Sequence, residues 1–299
     1  MSDDARALCR VPVRIAVAAL SLAACSSSTA DPGERPAASL PASSQTSSSP
    51  TAASAPSSLA PGGSSALVGD YGVEIVATYA HDPEAYTQGL ELHDGLLLES
   101  TGRFGQSSRR WVLPESGEIV DAEPLHDEEF GEGITMVDER IFQLTWTNNR
   151  AIIADGATLD DQSQMTYEGE GWGICHDGAS LIMSNGSAEL TVRDPETFAV
   201  RSTVLVTDNG VPVDRLNELE CRAGQVLANI YGSDEIVVID PQTGAVAATI
   251  DAHSLRPLDL AIDDLDFALN GIAHDPRADT LYLTGKLWPV LYEVRLVAR

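Results

Sequence analysis

Phe130-Gly131-Glu132-Gly133-Ile134-Thr135 sets a carboxylate against a glycine and then runs into an apolar stretch that reads as a β-strand. The same polar–Gly–apolar step stands at Gln88-Gly89-Leu90, Trp172-Gly173-Ile174 and Asn270-Gly271-Ile272. Asn217-Glu218-Leu219 keeps the place with Glu218 where the others carry glycine. The five steps begin 44, 40, 45 and 53 residues apart. A period of roughly 40–50 residues, with several short strands in each repeat, is the sequence mark of a β-propeller. The leading residue changes from amide to carboxylate to indole while the step persists. Such a repeat predicts five side chains aimed at one shared place.

Between the steps the signals are all β. Leu96-Leu97-Leu98 follows Asp94-Gly95, and Leu181-Ile182-Met183 follows Asp177-Gly178. Asp-Gly between apolar runs predicts a hairpin. Asp194-Pro-Glu-Thr and Asp240-Pro-Gln-Thr-Gly recur in adjacent repeats and read as turns between outer strands. No ten-residue amphipathic helix stands out. Residues 207–216 and 251–265 read as longer connections, the second with room for a helical turn. The expected fold class is all-β, a five-bladed β-propeller. A strand near Val73–Tyr79 completes the last blade beside Leu291–Val297, since closing the ring leaves few exposed edges.

The ends and the charge bound the rest. Residues 1–24 carry Arg6, Arg10 and Arg14, a short apolar run and Leu22-Ala-Ala before Cys25, the pattern of an export signal too short for a membrane span. Leu-Ala-Ala-Cys resembles the bacterial lipobox, which makes Cys25 the expected lipidation site; a plain secretory signal is the other reading. Residues 25–69 are dominated by Ser, Ala, Pro and Thr and read as a disordered tether. Residues 70–299 then form the propeller domain. A net charge of −27 argues against nucleic acid and anionic membrane surfaces as partners, leaving the membrane to the lipid anchor alone. Cys175 and Cys221 fall in the domain, and spacing does not decide between a disulfide and two buried thiols.

Lys286 is the only lysine among 18 basic residues. A chain that otherwise uses arginine, yet places a lysine here, points to a need for a compact ammonium with rotatable donors. Glu132 sits between glycines in an aromatic context, which raises a carboxyl pKa and favours acid–base duty. A carboxylate accepting backbone N–H groups inside the ring is the structural alternative. Asn217 and Gln88 supply amide donors and acceptors at two further steps, with Asn217 the stronger site candidate. Asn270 reads as structural. Trp146, Trp172, Phe130, Tyr86 and Tyr231 concentrate near the steps in a chain only 5% aromatic, and so suggest an apolar cup.

The chain resembles the plant and bacterial type of glutaminyl-peptide cyclotransferase. The matching stretches are Tyr86-Thr-Gln-Gly-Leu, Glu99-Ser-Thr-Gly-Arg-Phe-Gly-Gln-Ser, Phe130-Gly-Glu-Gly-Ile-Thr and Gln143-Leu-Thr-Trp, followed by Glu170-Gly-Trp-Gly, Met183-Ser-Asn-Gly-Ser, Leu216-Asn-Glu-Leu-Glu, Leu269-Asn-Gly-Ile-Ala and Thr284-Gly-Lys-Leu-Trp-Pro. The resemblance implies a propeller that converts N-terminal glutamine of peptides or proteins to pyroglutamate without a catalytic metal or other cofactor. A structural ion in the channel stays open. It further implies Glu132 as proton shuttle, and Asn217, the third catalytic candidate, is read as orienting the γ-carboxamide. Lys286 then binds the substrate carboxamide oxygen or a carboxylate such as Glu132. Gln88 and the five aromatic residues form the substrate pocket. Tyr86 and Tyr231 depart from the family's usual Phe and Trp, which puts substrate preference in question.

Two rivals remain at this stage. One is a metal-dependent hydrolase of the lactonase kind, with Glu132, Asn217 and Asn270 around an axial divalent ion. The other is a non-catalytic lipoprotein propeller that binds a peptide or protein. A single propeller is most simply a monomer.

Overall fold

The computed structural model describes residues 64–260 and 264–299; the expected signal at 1–24, Cys25 and most of the 25–69 tether lie outside the described residues. Strands supply nearly all the regular structure, as the all-β expectation requires. The hairpin at Asp94-Gly95 joins Thr87–His93 to Leu96–Thr101, with its two turn residues at φ of 50° and 87°. A turn of that hand matches the twist of the flanking strands, which is why Asp-Gly stands there. The Asp194 and Asp240 turns tie themselves down. Each carboxylate accepts from the backbone N–H two residues on, Glu196 and Gln242, both at 2.9 Å.

Each repeat folds as a four-stranded antiparallel unit in chain order. The first spans residues 87–124, the second 131–166, the third 174–205 and the fourth 216–251. The fifth takes Leu269–Asp275, Thr280–Gly285 and Val290–Ala298, and its outer strand, Gly69–Ala80, comes from the start of the domain. That pairing sets Val73 opposite Leu296 and Tyr79 opposite Leu291, the closure read from the sequence. Gly69–Ala80 also pairs in parallel with Val246–Asp251, so the fourth and fifth units share one eight-stranded sheet. The long connections carry a small two-stranded pair at 207–212 and single 3-10 turns at His253–Leu255 and Leu265–Phe267.

The apolar core lies between units and not at the axis. Phe142, Ile153, Leu181 and Phe198 fill the space between the second and third, and Leu190, Val226 and Ile239 that between the third and fourth. Trp288 is fully buried among residues of the fourth and fifth. Sheets packed this way bring their first strands side by side in a closed circuit, each against the next. The step glycines follow from that crowding. A Cβ on Gly133 would lie 2.6 Å from Ile174 N, and one on Gly173 only 2.1 Å from Asn217 O. In the fourth step Glu218 takes the glycine place. Its carboxylate accepts the N–H of Leu90 at 3.2 Å and of Ile272 at 2.9 Å, tying the fourth unit to the first and fifth.

Two findings go beyond the sequence reading. The domain's contacts begin before residue 70. Ser64 Oγ donates to Asp279 at 2.7 Å, and Arg222 holds Ser65 O at 3.0 Å. The Gln225 amide grips Leu67 at both N–H (2.6 Å) and C=O (3.0 Å). A lone Leu in a Ser/Ala-rich stretch carried too little apolar signal to reveal this. Cys175 and Cys221 form a disulfide that joins the first strands of the third and fourth units, with Cα atoms 5.5 Å apart.

Candidate active site

The first strands begin at one end of the ring, and their leading residues meet there. Gln88, Glu132, Trp172 and Asn217 line a cavity of about 240 Å³ together with Tyr86, Phe130, Trp146, Tyr231 and Lys286. These are the nine residues singled out from the sequence for catalysis or substrate binding. The volume falls below the roughly 300–1,000 Å³ of sites for drug-sized ligands, so it suits a single residue with the rest of a chain outside. Asn270, from the fifth step, turns elsewhere. Its amide donates to Thr87 O at 2.9 Å and to Gln88 Oε1 at 3.2 Å, which makes it the structural support it was read to be.

Residues of the motif stretches hold the site from behind. Ser100 donates to the backbone O of Glu132, and Ser184 to that of Asn217. In each case a serine of one unit fixes the leading residue of the next. Glu99 is fully buried and accepts from Thr87, His81 and Arg110, which anchors the strand that carries Gln88. Burial alone would push the Glu99 carboxyl up, but His81 and Arg110 hold it down at about 2.

A hydrogen-bonded chain crosses the floor of the cavity. Lys286 Nζ donates to Gln88 Oε1 at 2.7 Å, and Gln88 Nε2 donates to Glu132 Oε1 at 3.1 Å. Lys286 therefore reaches Glu132 through the Gln88 amide, a correction to the direct pairing that the resemblance allowed. The three side chains are 3–5% exposed, so their charges act in a poorly screened setting. Burial raises the Glu132 carboxyl well above the usual carboxylate range, the Lys286 ammonium draws it back, and Glu170 pushes it up again. Burial likewise brings the Lys286 ammonium down to about 8, against the opposing pull of Glu132 and Asp266. Asn217 Oδ1 is buried with no hydrogen-bond partner among the described residues, an acceptor left for a donor from within the cavity.

The aromatic residues form the wall. Tyr86 meets Phe130 edge-on, Phe130 meets Trp146, and Trp172 meets Tyr231, with centroids 6.1, 5.7 and 5.6 Å apart. Lys286 Nζ lies 4.7 Å from the Tyr86 ring centre and 5.1 Å from that of Tyr231, bridging the two ends of the arc. The hydroxyl that distinguishes Tyr86 has a partner: it donates to Asp266 at 3.1 Å.

A family model described as glutamine cyclotransferase matches residues 45–296 of this chain. The chain belongs to the glutamine cyclotransferase family. It is 39% identical over 229 residues to the glutaminyl-peptide cyclotransferase of Arabidopsis thaliana, covering 75% of this chain and 71% of that relative. The crystal structure of Myxococcus xanthus glutaminyl cyclase matches with a TM-score of 0.72 and 37% sequence identity, covering 77% of this chain and 98% of that one.

Three residues at the cavity mouth were given no role from the sequence. Glu170 accepts from both Trp146 and Trp172, and Asp266 accepts from Tyr86. Arg103 lies 4.5 Å over the Tyr86 ring and 3.4 Å from Asp266. In a chain with 45 acidic residues, two exposed carboxylates carry no distinguishing signal. The arginine and Glu170 do sit inside matching stretches, which was the one available hint.

Proposed function

We propose that this family member is a glutaminyl-peptide cyclotransferase that converts the N-terminal glutamine of peptides and proteins to pyroglutamate with release of ammonia. The observation that carries the reading is the buried Lys286–Gln88–Glu132 chain on the floor of a one-residue, aromatic-walled cavity. The five four-stranded units are read as the blades of one propeller.

In the reaction the substrate's α-nitrogen attacks its own γ-carboxamide carbon. A C–N bond forms, the carbonyl pair moves onto oxygen, and the tetrahedral centre then collapses with cleavage of the original C–NH2 bond. The proton lost by the α-nitrogen must reach the departing nitrogen. Glu132 takes and returns it, since a buried carboxyl held well above the usual carboxylate range both accepts and gives back a proton. Lys286 keeps N–H donors beyond the one given to Gln88, and these stabilise the developing oxyanion. Asn217 Oδ1 receives an N–H of the substrate amine or carboxamide. The wall of Tyr86, Phe130, Trp146, Trp172 and Tyr231 packs the glutamine methylenes and excludes water, so that the side chain folds back on its amine instead of being hydrolysed.

The metal-hydrolase alternative needs Asn270 to join Glu132 and Asn217 around an ion. Asn270 instead supports Thr87 and Gln88, and the cation beside Glu132 is the Lys286 ammonium. The reading is therefore of an enzyme with no catalytic metal. Export under residues 1–24, lipid anchoring through Cys25 on the outer side of a bacterial membrane and action as a monomer are proposed with it.

Incubating the domain with a Gln-initiated peptide, with and without EDTA, and analysing the product by mass spectrometry tests the proposal. Conversion to the pyroglutamyl peptide, indifferent to EDTA, is expected. Loss of activity with EDTA would favour the metal hydrolase, and an unaltered peptide from folded protein would favour the binding propeller.

A further inference from the structure

The cavity wall is a closed circuit of contacts with two charged links. On the inner side the Lys286 ammonium spans Tyr86 and Tyr231. On the outer side Trp146 and Trp172 belong to different units, and what joins them is the carboxylate of Glu170. Its Oε2 accepts the indole N–H of Trp146 at 2.8 Å and of Trp172 at 2.9 Å. The remaining links, Tyr86 to Phe130 to Trp146 and Trp172 to Tyr231, are edge-to-face ring contacts.

The local chain is built to bring that carboxylate to the indoles. Gly171 N donates to Trp146 O at 3.0 Å, which lays the Glu170–Trp172 segment along the start of the loop at 146–149 in the second unit. A Cβ on Gly171 would lie 2.3 Å from the Tyr167 hydroxyl, so glycine permits that approach. Trp172 packs against Gly186, where a Cβ would come within 2.6 Å of the indole ring. Each indole is thus held by ring or backbone neighbours, Phe130 for Trp146 and Tyr231 and Gly186 for Trp172, and by Glu170 at its N–H.

We propose that Glu170 is a positioning residue for the cyclisation pocket: one carboxylate oxygen clamps both indoles and so sets the width of the cavity mouth. The inference deepens the cyclotransferase reading and rests on it for its kinetic arm. An indole N–H at a mouth of this kind otherwise bonds water, and its ring then samples more than one orientation. Fixing both rings to one charged acceptor keeps the cup narrow enough to hold the folded rotamer of a glutaminyl side chain, where small displacements are expensive in rate. The charge of the same carboxylate also pushes the Glu132 carboxyl up, an effect separable from the clamp.

Two substitutions separate clamp from charge. Glu170→Gln keeps a carbonyl oxygen able to accept both indole N–H groups and removes the charge, whereas Glu170→Ala removes both. Glu170 is exposed, and the melting temperature of each variant serves as the folding control. Tryptophan emission without substrate reads the clamp directly, whatever the enzyme's activity. Glu170→Ala is expected to shift that emission to longer wavelength and to raise KM for a Gln-initiated dipeptide about tenfold, from two lost charge-assisted hydrogen bonds. Glu170→Gln is expected to keep emission and KM near wild type while moving the acid limb of the pH–rate profile to lower pH. Unchanged emission and KM in Glu170→Ala would overturn the clamp. So would a KM rise in Glu170→Gln equal to that in Glu170→Ala, which would leave charge as the sole contribution. If wild-type protein released no ammonia, the cyclotransferase reading would fail while the emission result still judged the clamp.

Discussion

At the scale of single residues, the Gln88 amide gives the site its direction. Its oxygen receives Lys286 and Asn270, so its nitrogen is left to face Glu132, and the amide cannot flip without losing all three contacts. Gln88→Leu should therefore damage catalysis as a site variant would, although Gln88 need not exchange a proton itself. Glu132→Gln removes the shuttle and keeps the shape; a fall in kcat of about 10²–10⁴ with KM changed only a few-fold is expected, measured by ammonia release. The pH dependence follows from Lys286. Its ammonium, brought down to about 8 by burial, is present below that pH and lost above it. Activity should accordingly fall as pH rises through about 8, and Lys286→Met should remove that limb along with most of the rate. A pH–rate profile still declining at the same place in Lys286→Met would assign the limb to another group, such as the substrate's own amine.

At the scale of elements, the repeated step was legible because it recurs at a regular interval: at Gly89, Gly133 and Gly173 a Cβ would meet the backbone of the next first strand, while the fourth step carries Glu218 in that place. Gly173→Ala places a Cβ against Asn217 O, the carbonyl of a site residue. Overpacking of this kind costs about 1–3 kcal/mol, and a urea melt of the variant should report it together with reduced kcat. The Asp-Gly hairpin was legible because turn chemistry acts over few residues, and the closure of Val73–Tyr79 on Leu291–Val297 because a closed ring leaves few exposed edges. What was hidden depends on approach in space. The pairing of Cys175 with Cys221, the reach of Glu218 to two other units and the Glu170 clamp are all set by which strands become neighbours. The disulfide closes a sequence separation of 46 residues, and removing it with Cys175→Ser and Cys221→Ser together should cost about 2–4 kcal/mol in the same measurement.

At the scale of the whole molecule, the ring has two polar ends with different chemistry. The end that holds Gln88, Glu132, Asn217 and Lys286 is the site, and further along the same strands lie Glu91, Glu218 and Glu220. Burial pushes Glu91 up to about 7, and pushes Glu218 and Glu220 well above the usual carboxylate range. A raised folded-state pKa means that the native chain holds the proton longer than the unfolded one. The Glu91 contribution is thus full below about 4.5 and lost as pH rises through about 7. Glu99 runs the other way: its contribution is full above about 4.5 and lost as pH falls through about 2. Thermal melts across pH should peak near about pH 5 and decline toward pH 8; a Tm that climbs steadily to pH 8 would contradict the placement of these carboxyls. The central claim, however, is that the ring gathers distant residues into one cyclising pocket. Ammonia release from a Gln-initiated dipeptide by residues 64–299 tests it most directly, with Glu132→Gln measured alongside at matched folding. Release by the wild type and its near-complete loss in the variant is the expected result. Equal release by both proteins would contradict the account, because the buried chain from Lys286 to Glu132 would then have no part in the chemistry.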